Sequence, residues 1–161
     1  MADVQGSFGR TRVFEDFLGG YDNTAAWAAT GVGHLGGVSF TSVNEGAIEV
    51  VADEPGGVVT ITTDTADNDN IALFIGTFQP SLGGAVMEVR IKNPDALTTR
   101  AVFVGFTETL SLTTPVMPLE FDTITMTYNG TGGIVGFNYD TDGSTDTWRA
   151  AAGDAGVATG G

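Results

Sequence analysis

Three sets of residues in this 161-residue chain have types and spacings that chemistry could use. The first is Asp140-Thr141-Asp142-Gly143-Ser144-Thr145-Asp146, whose carboxylates stand two and four residues apart around a glycine. Calcium takes oxygen ligands from closely spaced carboxylates in a tight turn, so Asp140, Asp142 and Asp146 are the residues a calcium ion would use. The full calcium-loop signature also places a bidentate Glu several residues on, and none follows here. A hairpin turn joining 137–139 to 147–148, with Asp and Gly serving backbone geometry, accounts for the same residues without a missing ligand. Asp64-Thr65-Ala66-Asp67-Asn68-Asp69-Asn70 is a second acidic loop with the same two readings.

The second set is Glu120-Phe121-Asp122. On a strand, residues i and i+2 share a face, which suits a nucleophile and its acidic helper in glycoside hydrolysis. The acid/base would have to follow on that face in a Glu-x-Asp-x-x-Glu arrangement, and the position is Thr125. No proton donor for the leaving group is in place, so the expectation is that the chain is not an enzyme. His34 is the only histidine, and no Gly-x-Ser-x-Gly elbow exists to give it a nucleophile. Gly31-Val32-Gly33-His34-Leu35-Gly36 spells a dinucleotide fingerprint but lacks its strand–turn–helix setting and downstream acid. The third set is aromatic: Tyr21, Trp27, Tyr139 and Trp148 stack on sugar rings if exposed and fill a core or interface if not. Trp27 and Trp148 are the carbohydrate-stacking residues on the first of these readings.

These groups must be positioned by strands. Apolar residues recur with a period close to two almost throughout, in segments 58–63, 86–91, 101–106, 121–128 and 132–139. Further strands are expected at 11–17, 34–43, 47–52, 70–78 and 146–151. The 121–128 run reads as one continuous strand, with Phe121, Thr123, Thr125 and Thr127 on one face and Asp122, Ile124, Met126 and Tyr128 on the other. Asn129-Gly130-Thr131 reads as a short hairpin joining it to 132–139. Only 22–30 suggests a helical turn, capped by Asp22 or Thr24. Short strands every 10–14 residues, separated by Gly, Asn, Asp or Pro, predict an all-β antiparallel sandwich with little helix.

Composition narrows the function. The net charge is −14, from six basic and twenty acidic residues, and 24 residues are glycine. Such acidity repels phosphate and leaves nucleic-acid binding without electrostatic footing. No apolar run approaches the ~20 residues of a membrane span, and 1–12 carries no secretory signal. The absence of cysteine removes disulfides and thiolate catalysis and is compatible with synthesis in a reducing cytoplasm. Residues 1–12 form a polar arm bearing Arg10 and Arg12; it is a flexible tail or it docks on an acidic or carbonyl-rich neighbour, with Arg10, Arg12 and Phe14 as anchors. Residues 13–151 form one sandwich domain. Residues 152–161 form a Gly/Ala-rich tail without a closing strand, which leaves an edge open or covered by a partner subunit.

Phe14-Glu15-Asp16-Phe17-Leu18-Gly19, then Trp27, and Phe137-Asn138-Tyr139-Asp140-Thr141-Asp142-Gly143 running into Asp146-Thr147-Trp148-Arg149-Ala150 carry a likeness. Together they resemble the concanavalin A-like (laminin-G-like) jelly-roll proteins among the structural genes of tailed bacteriophages. The resemblance implies a jelly roll in the virion, on the outer capsid surface as a decoration (cement) protein, or in a fibre. Its partners would be the capsid protein and copies of itself, in a homo-oligomer. The alternative of the same shape is a carbohydrate-binding or receptor-binding adhesin of a phage fibre. The family pattern continues into further strands beyond Trp148, so the sandwich is expected to stay open there or to be closed by a neighbouring subunit.

Overall fold

The computed structural model describes residues 30–35, 38–43, 46–51, 57–63, 70–74, 85–92, 99–108, 116–130, 132–154 and 157–160. These contain eleven strands and no helix, and every strand pair is antiparallel. The all-β expectation is met. The chain divides into two compact units, Met1–Phe78 with Leu112–Pro115, and Gln79–Ser111 with Val116–Gly161.

In the first unit, β1 (Thr30–Leu35), β2 (Val38–Val43) and β5 (Ala72–Phe74) form a sheet in the order β1-β2-β5. β3 (Gly46–Val50) and β4 (Val59–Thr63) form a separate pair, in which Ile48 lies opposite Ile61 and is buried. The Val51 amide bonds the Val58 carbonyl at 2.8 Å and extends that pair by one rung. The Gly31-Val32-Gly33-His34-Leu35 string lies along β1, on a strand and not at the turn into a helix that a dinucleotide site requires.

The second unit is built on a four-stranded sheet. Its strands β6 (Ala101–Thr107), β9 (Ile134–Asp140), β10 (Arg149–Asp154) and β11 (Val157–Gly160) run in the order β11-β10-β9-β6. A hairpin of β7 (Leu119–Asp122) and β8 (Thr125–Tyr128) packs on one face. That inner face is small at its middle: Gly105, Gly136, Ala151 and Gly160 stand side by side across the four strands. The bare strip is needed. A Cβ on Gly136 would come within 2.8 Å of the Gly105 Cα and 2.9 Å of the Phe103 ring. Leu119, Phe121, Met126 and Tyr128 of the hairpin meet Ile134, Ala151 and Phe103 there and form the core.

Four expectations change. The 121–128 run is two strands, because Thr123-Ile124 makes a two-residue turn with Thr123 at φ 55°. The turn resets the alternation, so Phe121 faces with Met126, and Glu120, Asp122, Thr125 and Thr127 share the exposed side. β8 pairs back to β7 and not across 129–131 to β9, whose two edges are already taken by β6 and β10. Residues 86–91 have strand alternation but join no sheet. Within 152–161, read from composition as a tail, β10 runs on to Asp154 and β11 pairs beside it.

Candidate functional site

The inner face of β9 poses a problem of polarity. Its inward residues are Ile134, Gly136, Asn138 and Asp140, and both Asn138 and Asp140 are buried. The edge of β7 supplies the reason. β7 bonds β8 on one side only, so its opposite backbone groups need partners inside the protein. Asn138 Nδ2 donates to the Leu119 carbonyl at 2.7 Å, and the Phe121 amide donates to Asp140 Oδ2 at 2.9 Å. The two-residue period of one strand meets the two-residue period of the other. Asp140 Oδ1 also accepts from the Asp142 amide at 3.0 Å and opens the 141–148 turn.

That turn then holds the tip of the hairpin. The Thr123 amide bonds the Asp142 carbonyl at 2.9 Å, and the Ser144 amide bonds the Thr123 carbonyl at 2.7 Å. A β-branched residue at positive φ is sterically costly and persists only where its surroundings over-determine it. Arg149 completes the corner: its guanidinium lies 4.5 Å from the Phe121 ring centroid, and Nη2 donates to the Thr145 carbonyl at 2.9 Å.

The turn and capping reading of 140–146 is therefore what the geometry displays. Both Asp140 oxygens are engaged by backbone amides, while Asp142 and Asp146 are exposed. Among the described residues, no three His, Cys, Asp or Glu side chains are grouped as a metal ion would need. Glu120 and Asp122 remain on one exposed face, but Thr125 faces them from β8 across the turn.

The polar demand on the inside sends the large apolar side chains of β9 outward. Val135 and Phe137 are exposed, Phe137 at 58 %, and Tyr139 shares their face. Register places Val102, Val104 and Phe106 of β6 and Ala150 and Ala152 of β10 on that side. Trp148, just before β10, is 44 % exposed, with its ring 5.6 Å from that of Tyr139 at an interplanar angle of 52°. This apolar outward face is the functional surface that sequence reasoning missed. Its signal was the alternation of Val135, Phe137 and Tyr139 with Gly136, Asn138 and Asp140.

Of the residues singled out from sequence, Trp148, Asp140, Asp142 and Asp146 fall in one corner of the second unit. Arg10, Arg12, Phe14 and Trp27 lie outside the described residues, as do most of the 64–70 loop and the expected strand at 11–17. No protein-family model, no curated protein and no solved structure matches the chain.

Proposed function

We propose that this chain is a virion structural protein, a capsid decoration protein that binds the outer head shell and stabilises it. One observation carries the reading: the four-stranded sheet turns its larger apolar side chains outward, on a chain whose net charge is −14. A contiguous exposed apolar face marks a surface made to be covered. Strong acidity elsewhere keeps coated particles apart in solution. The mechanism is mechanical and has no catalytic step. Copies that bind only the assembled lattice shift its equilibrium toward the intact state by mass action. Arg10, Arg12 and Phe14 would add an anchoring arm on an acidic or carbonyl-rich neighbour.

The test is occupancy on particle heads that lack the protein, measured by sedimentation and imaging. The parent chain should coat the shell and raise its disruption temperature. A Val135→Ser/Phe137→Ser variant with unchanged circular dichroism should bind at least about tenfold more weakly, since each side chain contributes ~1.5–3 kcal/mol when fully covered. Full occupancy by that variant, or no coating by the parent, would overturn the reading.

A second reading rests on the exposed Trp148–Tyr139 pair. Two tilted aromatic rings on a sheet face suit stacking against a sugar ring, as in a carbohydrate-binding or receptor-binding adhesin. It requires glycan-array binding that Trp148→Ala removes; an empty array decides against it.

A further inference from the structure

Residues 85–92 (Ala85-Val86-Met87-Glu88-Val89-Arg90-Ile91-Lys92) run without helix, turn, bend or strand partner, and all eight are exposed. Val86 is 94 % exposed, whereas Met87, Val89 and Ile91 lie between 37 and 51 %. The even positions therefore face solvent most fully, and the odd ones form an apolar row that is half covered. A stretch with strand alternation and unpaired backbone is a template for another strand. The question is which strand.

The sequence of the segment answers it. In an antiparallel pair, directly opposed residues share a face, so a segment that pairs with its own copy is centred on one residue. Centring on Val89 sets Val89 against Val89, Met87 against Ile91 and Glu88 against Arg90, the last two pairs each occurring twice by symmetry. Centring on Glu88 or on Arg90 sets like charges in direct opposition, which is destabilising. Centring between residues pairs the apolar row with the charged one. One register alone satisfies both faces.

We infer that residues 85–92 of two copies pair as antiparallel strands about a two-fold axis at Val89, giving an isologous dimer. The occupant is a second copy because the complementarity lies within the segment itself, as a two-fold contact requires. Charge adds to this. Arg90 is one of only six basic residues in a chain of net charge −14, and the pairing gives each Arg90 an acidic partner. No capsid or glycan is needed, so the pairing can be measured on the isolated chain and stands or falls apart from shell binding.

The experiment is sedimentation equilibrium of the full chain as the parent, Glu88→Arg, Arg90→Glu, the double variant, and an equimolar mixture of the two single variants. The parent should dimerise, and each single variant should weaken the dimer by at least about tenfold, since two attractive pairs become repulsive. The double variant should restore it, and the mixture should form the mixed dimer. Glu88→Arg is the stringent case, because it makes the net charge less negative by two and would aid association if bulk charge governed it. A parent that stays monomeric to about 100 µM, single variants that dimerise like the parent, or a folded double variant that stays apart would overturn the pairing. Amide exchange on the parent gives a reading free of mutation. Protection over 85–92 that rises with concentration is expected; protection independent of concentration means that the segment pairs within its own chain, and the inference fails.

Discussion

Asp140 joins three parts of the second unit through one carboxylate: β9, on which it sits, the β7 edge through the Phe121 amide, and the 141–148 turn through the Asp142 amide. Hydrogen bonds to a buried charged acceptor contribute more than neutral ones, and removing the acceptor leaves a buried donor unmet. Asp140→Ala should therefore lower unfolding stability by about 3 kcal/mol, measured by urea denaturation. Asp140→Asn keeps one carbonyl acceptor and should lose about half as much. Equal stability of Asp140→Ala and parent would show that the β7 edge finds its partners elsewhere. Gly143 stands in the same corner, where a Cβ would meet the Arg149 guanidinium at 3.0 Å. The Asp-Gly spelling of this turn was thus legible in the sequence, and its use was structural.

Among the elements, the β7–β8 hairpin departs furthest from its spelling. Thr123 and Ile124 are β-branched and carry no turn signal, so an eight-residue strand was the natural reading of 121–128. The long-range bonds from Asp142 and to Ser144 impose the turn, and no local pattern reports them. A two-residue hairpin with positive φ at its first position favours glycine there. Thr123→Gly should raise stability by about 1 kcal/mol by relieving that conformation, read as an increase in the urea midpoint at unchanged m-value. A lower midpoint would mean that the Thr123 hydroxyl bond to Asp122 outweighs the strain. By contrast β4, β6 and β9 were legible, because their residues alternate or are β-branched between turn formers. Alternation shows that a strand has two faces; it does not show which is buried. In β9 the edge of β7 decided that, by demanding Asn138 and Asp140 on the inside.

At the scale of the whole molecule, two copies that approach each other each carry a charge of −14. Long-range repulsion works against any dimer at low ionic strength and is screened beyond ~8 Å at 0.15 M salt. Self-association should therefore strengthen as salt rises from about 0.01 M to 0.15 M, even though the Glu88–Arg90 contacts are themselves weakened by screening. Sedimentation across that range checks it, and steady weakening with added salt would show that the local charge pairs dominate. The outward apolar face acts at the same scale, since neither it nor the hidden edge of β7 is a property of any single strand.

The Phe103 ring lies over the spot where Gly105 and Gly136 oppose each other, 2.7 Å from the place a Cβ would take on the first and 2.9 Å from that on the second. It works as a detent. Sliding β6 along β9 by one repeat of the pleat keeps every side chain on its proper side, so ordinary burial would not resist the move. It would, however, lift the ring out of its notch and bring it against a residue that has a side chain. The sheet is thereby indexed to a single setting, and a load applied along its strands meets a mechanical stop as well as a row of hydrogen bonds.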